Sequence, residues 1–421
     1  MNSSKAFDKS DKQNYLIEKI FISKKEPLFN NIASFNNKFN FNIKEININK
    51  FALEQFNTMN QITLFHKIYT IETKNKLLYN YNKLIYFCYR SNIYPIKNKI
   101  NVDLFRDSGW GCMIRCGQMI MSRAIYKYLK SKKFSSEKAI SETIKYFLDL
   151  PYSENNVPSI FSSILSNNLN TNNNKDIKLF PPFSIHMHCF LGKFYNKHGG
   201  EWFSDVNICQ NYRDINKCFN LFPELSILSF VSDFKLQEIL EECFILVNEN
   251  DKIDTNKKIL NLKNKKYIMK KCGLVFISVR LGINKVTNEY YSCLKKLFES
   301  KQCIGIIGGE TNLAHYFIGY NNRGNLIYLD PHITREAVIN LNDESIVNDY
   351  LVKNIHEISI DDMSTALSIG FLFRNVDEFE ELIGFVENYS KNVYPCFGYI
   401  RENIDIDINK YENLFNDEDD F

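Results

Sequence analysis

Apolar positions follow two different rhythms along this chain. From Met113 to Leu129 they fall on almost every side of a helical projection until Ser122 and Arg123, with no proline among them. That pattern predicts a helix buried in a core. Farther on, Leu274 to Leu281 and Cys303 to Ile307 are short continuous apolar runs, read as buried strands. Gly308-Gly309 follows, then His315 to Tyr320, the turn Asn321-Asn322-Arg323-Gly324, and Asn325 to Asp330. This is a hairpin pattern. Helical segments in the first half and strands in the second predict an α+β layout with one large core.

Polar stretches divide the chain. The first fifty or so residues are rich in Asn, Lys, Ile and Phe without a sustained period, which predicts a poorly ordered extension over 1–55. A catalytic unit is expected over 56–400, with polar surface insertions near 153–178 and 248–271. The first is dominated by asparagine from Asn167 to Asp176, and the second holds Lys257, Lys258, Lys263, Lys265, Lys266, Lys270 and Lys271. Those lysines fit a solvated face or contact with an anionic membrane surface. An acidic tail, 401–421, ends in Asn416-Asp417-Glu418-Asp419-Asp420-Phe421.

Composition narrows the class. The 421 residues are 44% hydrophobic, 14% aromatic and 24% charged, as in a folded globular protein. A net charge of +3 is too small to suggest a nucleic-acid partner. No apolar run approaches the roughly 18 residues needed to span a bilayer, so any membrane contact is expected from outside. The eleven cysteines form no tight even framework, and the N-terminus begins Met1-Asn2-Ser3-Ser4-Lys5. Together these features predict a reducing cytoplasm with most thiols free.

One cysteine has a chemical context. Arg106-Asp107-Ser108-Gly109-Trp110-Gly111 runs as a turn-forming stretch directly into the buried helix, with Cys112 at its start. Helix-terminal amides and the dipole there favour a thiolate, which can lower a thiol pKa from ~8.5 to ~3.5–7.5. The same amides can hold an oxyanion. His332 is the favoured base, because Asp330-Pro331-His332 sets a carboxylate and an imidazole at i and i+2 on one face of an extended segment. His186 and His188 are rival bases without a neighbouring same-face carboxylate. Cys112, Cys116, His186 and His188 together form a poorly spaced candidate zinc set. Neither metal nor cofactor is required by the favoured reading.

The stretch Asp107-Ser108-Gly109-Trp110-Gly111-Cys112-Met113-Ile114-Arg115-Cys116-Gly117-Gln118-Met119 resembles the nucleophile motif of the autophagins, the autophagy-related protein 4 cysteine proteases. Gly308-Gly309, Ala314 to Tyr320 and Leu326 to His332 resemble the segment carrying that family's Asp and His. Weaker similarities at Phe87 to Arg90, Phe183 to His186, Glu201-Trp202, Val279 to Gly282 and Ala366 to Phe371 extend the match over roughly Tyr81 to Asn375.

The resemblance implies a papain-like fold and a Cys112, His332, Asp330 triad. It implies Tyr89 as an oxyanion contributor and Trp202 as the cover of a cleft narrow enough to require glycine. The implied substrate is the ubiquitin-like autophagy modifier, cleaved after its C-terminal glycine in the precursor and in its conjugate with phosphatidylethanolamine on membranes. It also implies a gating loop at Glu310-Thr311-Asn312, where relatives often carry Lys-Pro-Asn. In the tail, Tyr411-Glu412-Asn413-Leu414 fits an aromatic-x-x-aliphatic motif that adds a strand to the modifier's sheet, with Tyr411 and Leu414 as anchors. A binding adaptor without turnover, or another papain-like thiol hydrolase, are the rival functions.

Overall fold

The computed structural model describes residues 61–81, 83–151, 180–247, 258–262, 264–338, 344–352 and 354–401. The extension 1–55, the insertion near 153–178 and the tail motif with Tyr411 and Leu414 lie outside them.

Strands of the first half are β1 (Gln61–Leu64), β2 (Lys67–Thr70), β3 (Tyr89–Lys97), β4 (Asp103–Arg106), β5 (Leu225–Val231), β6 (Asp233–Lys235) and β7 (Phe244–Val247). Those of the second half are β8 (Ile259–Leu262), β9 (Lys265–Met269), β10 (Cys272–Arg280), β11 (Cys303–Glu310), β12 (Leu313–Asn321), β13 (Leu326–Leu329), β14 (Thr334–Glu336), β15 (His356–Ile358), β16 (Ala366–Phe373) and β17 (Gly398–Ile400). The helices are α1 (Lys74–Tyr81), α2 (Cys112–Ser131), α3 (Ser136–Ile144), α4 (Ile185–Gly192), α5 (Asp205–Phe219), α6 (Leu236–Cys243), α7 (Glu289–Leu297), α8 (Glu344–Asp349) and α9 (Val376–Asn392).

The main sheet runs β15-β13-β12-β11-β16-β10-β5. Its neighbours pair antiparallel except β10 with β5. The β1–β2 hairpin lengthens the sheet by pairing β1 with the far end of β12. In β10, Leu274 and Phe276 enter a core shared with α2, α4 and α5, whereas Val275 and Ile277 enter another shared with α6, α7 and α9. The expected single core is therefore two, one on each face. The cause lies in the sequence: strands apolar at successive positions bury both faces and need helices on each.

The long helix matches its prediction closely, but for a different reason. Its buried residues include Arg115 and Gln118. Arg115 Nε donates to Asp107 Oδ2 at 2.7 Å and Arg115 Nη1 to Asp149 Oδ1 at 2.9 Å, with all three side chains essentially inaccessible. Arg115 Nη1 also donates to Gln118 Oε1 at 2.9 Å, and Gln118 Nε2 to Phe183 O at 2.9 Å. Paired in this way, polar groups occupy a core that would otherwise reject them.

This network holds the loop that leads into Cys112. Asp107 Oδ1 accepts from Arg90 N at 2.6 Å, and Asp107 O from Trp110 N and Gly111 N at 3.2 and 2.9 Å. A Cβ on Gly111 would lie 2.6 Å from Asp107 Oδ2, and Gly109 has φ of +88°. Both glycines are thus required by geometry. The three-stranded sheet β14-β3-β4 flanks the same loop.

The lysine-rich stretch, where described, forms β8 and β9, which join β7 in a small antiparallel sheet β7-β9-β8. Lys258 pairs with Asp377 and, at 2.7 Å, with Glu380 of α9, while Lys270 Nζ donates to Glu241 O at 2.8 Å. Among the described residues no helix is long and apolar enough to cross a membrane. Nine cysteines are free, and Cys293 and Cys396 are joined as a disulfide.

Removing one partner of a buried ion pair leaves an uncompensated charge, so Asp107→Ala is expected to cost about 3–5 kcal/mol. Urea unfolding measures it, and an unchanged midpoint would show that the network does not hold the fold.

Candidate active site

Cys112 opens α2 behind Gly111, which supplies no side-chain cap. The first-turn amides therefore meet no capping oxygen, and their positive field falls on the thiol. Cys112 is buried, with 7% of its surface exposed. Burial alone would raise its pKa, but His332, the Ala314 backbone N–H and the Tyr89 hydroxyl outweigh it, and the thiol sits below its ordinary value.

The imidazole comes from the segment between β13 and β14. Tyr89 N donates to Pro331 O at 2.9 Å, and Tyr86 Oη donates to Asp330 O at 2.5 Å, which fixes the backbone on both sides. Asp330 Oδ1 then accepts from both His332 Nδ1 at 2.5 Å and His332 N at 3.1 Å. The alternation expected from an extended segment is not what joins them, since β13 stops at Leu329. A carboxylate bonding the amide two residues ahead makes a local turn, and that turn swings the ring onto its own anchor. Burial lowers the His332 pKa, yet the Asp330 hydrogen bond and the Cys112 interaction carry it up to about 9. Asp330 moves down despite burial because His332 pairs with it. His332 Nε2 is buried without a conventional hydrogen-bond partner, and the thiol is the acid it interacts with.

The Tyr89 ring stands edge-on to His332 at 5.4 Å, and its hydroxyl interacts with Cys112 and the Gly109 backbone. Trp202 lies across the nucleophile loop, with Nε1 donating to Gly109 O at 2.7 Å and half its surface exposed. Thr311 and Asn312 form a two-residue turn between β11 and β12, with Asn312 at φ of 66°. Glu310, expected in the gating loop, turns toward the triad: His315 Nε2 donates to its Oε1 at 3.1 Å.

Two participants carry no clear sequence signal. Ala314 acts through its amide, which no side chain advertises. His315 is buried, with Nδ1 4.0 Å from Asp330 Oδ1 and its ring 4.1 Å from Tyr328. A lone histidine in an apolar strand five residues after a glutamate was its only trace.

The rival bases are elsewhere. His186 Nε2 donates to Tyr94 O at 2.7 Å, and Asn211 Nδ2 donates to His188 Nδ1 at 3.1 Å. Burial drives their pKa values to about 4 and about 3. They support the fold. The four candidate zinc ligands do not assemble; the described side chains that cluster with metal-ligand spacing are His315, Asp330 and His332, already engaged with one another through Asp330. Cys116 is fully buried in the core, where burial raises its pKa far above the ordinary value.

The sequence profile of the peptidase C54 catalytic domain matches residues 74–384. The chain belongs to the peptidase C54 family. Its mixed sheet with a thiol at the start of a buried helix is the family's papain-like fold. Among similar proteins, the cysteine protease atg4 of Emericella nidulans is 26% identical over 283 residues, 65% of this chain and 58% of that protein. Cysteine protease ATG4A of Homo sapiens is 27% identical over 328 residues, 75% of each. Cysteine protease ATG4B of Gallus gallus is 25% identical over 349 residues, 79% of this chain and 81% of the relative. The chain spans under two thirds of the fungal relatives, 58% and, for Aspergillus oryzae, 59%.

In this peptidase C54 chain a lowered thiol and a raised imidazole give a thiolate–imidazolium pair. It forms above the Cys112 pKa and is lost as pH rises through about 9, where His332 deprotonates. Alkylation by iodoacetamide follows the thiolate. Wild type should therefore label at Cys112 at a pH below the ordinary thiol range, and His332→Ala should shift that profile to higher pH. Superimposable profiles would remove His332 as the activating group.

Proposed function

We propose that this chain is a cytoplasmic cysteine peptidase that cleaves after the C-terminal glycine of the ubiquitin-like autophagy modifier. It acts both on the modifier's precursor and on its conjugate with phosphatidylethanolamine. The observation that carries the reading is the indole of Trp202 bonded to Gly109 O beside a thiol that interacts with an Asp-anchored imidazole. An aromatic wall against the nucleophile loop favours a residue without Cβ at the scissile position. The names of the relatives support the peptidase and autophagy parts of the reading.

In the proposed reaction the Cys112 thiolate adds to the glycine carbonyl carbon. The resulting oxyanion is stabilised by first-turn amides of α2 and the Tyr89 hydroxyl. His332 gives its proton to the departing nitrogen, which belongs to the precursor's next residue or to the lipid's ethanolamine. The C–N bond breaks and leaves a thioester. Neutral His332 then takes a proton from water, whose oxygen attacks the thioester, and the thiolate leaves with the glycine carboxylate free. Asp330 holds the ring in the tautomer that directs Nε2 at sulfur. Glu310, Thr311 and Asn312 sit at the turn that a modifier tail would pass, and Tyr411 with Leu414 would serve as a second, remote anchor. Membrane contact is transient in this reading.

Incubation with a modifier carrying a C-terminal extension tests it. Wild type should release the extension, and Cys112→Ala should bind the modifier yet cut it roughly 10⁴-fold or more slowly. Intact substrate after exposure to folded, reduced wild type would contradict the assignment. Trp202→Ala is expected to narrow the preference for glycine over alanine at the cleaved position, measured as a ratio of kcat/KM values. An unchanged ratio would take that role from Trp202.

A further inference from the structure

The C-terminal half of α2 borders a cavity of about 280 Å³ lined by Arg123, Lys127, His66, Lys67 and Lys83, with no Asp or Glu among its described lining residues. Arg123 lies eleven residues after Cys112, about 16 Å along the helix axis. The cavity is therefore separate from the catalytic centre. The turn of the β1–β2 hairpin lines it, and there Phe65 and His66 both take positive φ, 43° and 67°. That turn is pinned by Phe65 N donating to Ile318 O at 3.2 Å and His66 N to Phe298 O at 2.6 Å.

Arg123 and Lys127 are brought together here, and among the described residues no carboxylate forms an ion pair with either. Arg123 lies with Cζ 3.3 Å from the Phe65 ring centroid, and its Nε is buried with no hydrogen-bond partner, as is His66 Nδ1. Lys127 Nζ reaches only a carbonyl, Lys301 O, at 3.3 Å. The neighbouring carboxylates are engaged elsewhere. Glu378 accepts from Arg374 Nε at 3.0 Å, and Glu381 from Lys301 Nζ and Gln302 Nε2, each at 2.9 Å. Burial, then the surrounding positive charges, lowers Lys127 to about 7 and His66 to about 4. A chain gains nothing in stability by assembling like charges without a counter-ion, whereas a bound anion would satisfy the orphaned donors.

We propose that this cavity binds the phosphate group of a small phosphate-bearing molecule, with the Arg123 guanidinium and the Lys127 ammonium as its principal ligands. A guanidinium offers paired donors to phosphate oxygens, and the lysine adds a mobile point charge. Met119, Leu84 and Ile85 on the lining give the apolar portion of the molecule a surface. The phosphate is carried by a soluble ester or by a lipid headgroup, and these sources are separable by experiment.

Full-length protein is titrated with inorganic pyrophosphate by calorimetry, and in parallel floated with phosphatidylcholine vesicles with and without phosphatidic acid. Arg123→Gln and Lys127→Gln are each expected to weaken binding about tenfold, as the loss of one charge-assisted hydrogen bond does. Undiminished precursor cleavage verifies that the variants are folded. Pyrophosphate binding that falls in the variants supports the site with a soluble ligand. Retention on phosphatidic acid vesicles alone, lost in the variants, supports it with a headgroup ligand. Failure of both probes to bind wild type, or equal binding by the variants, overturns it.

Discussion

The geometry of the catalytic centre rests on one buried contact, the carboxylate of Asp107 against the guanidinium of Arg115. Asp107 has no exposed surface, and its oxygens are shared between Arg115 Nε and Arg90 N. An unpaired charge at that depth would cost several kcal/mol, so the loop and the helix adopt one mutual position. The loop then has nowhere to go except through Gly109 and Gly111 into the first turn of α2. Packing thereby fixes where Cys112 stands, and His332, the Ala314 N–H and the Tyr89 hydroxyl set its charge preference. Exposed pairs such as Lys258 with Glu380 hold the periphery and contribute little.

The second half of the chemistry arrives from more than two hundred residues later in the chain. Its position follows from the sheet, because β12 carries Ala314 and His315 while β13 hands the backbone to Asp330 and His332. Bonds from Tyr89 and Tyr86 lock that backbone to the opposite wall. The same tyrosines therefore join the two halves of the site. His332 is then held by a carboxylate two residues away, an arrangement that needs no further alignment. A base raised to about 9 beside a lowered thiol is the electrostatic outcome of this packing.

Much of this was legible in the sequence. The helix starting at Cys112 and the strands from Leu274, Cys303 and His315 announced themselves by long apolar patterns. Asp330-Pro331-His332 announced itself by spacing, although the contact forms through a turn instead of a pleat. What was not legible depends on pairing across the chain. Arg115 and Gln118 carry no signal in a helix that reads as apolar almost all round, and only their burial against Asp107, Asp149 and Phe183 reveals them as structural. Glu310 read as a loop residue until its hydrogen bond to His315 was visible. The lysine-rich stretch read as a surface insertion because its strands are short and their apolar residues are interrupted by lysines and asparagine. The basic cavity beside the end of α2 has no sequence pattern, since the β1–β2 turn and Arg123 meet only in the fold.

In the proposed reaction Cys112 is the thiol, among eleven cysteines, that adds to the substrate's terminal glycine. The most direct test is reaction of the folded, reduced chain with the ubiquitin-like modifier bearing a glycine-derived electrophile at its C-terminus, followed by peptide mass spectrometry. A single adduct on Cys112, lost on His332→Ala at neutral pH, is the predicted result. No adduct, or an adduct on another cysteine, would contradict the account.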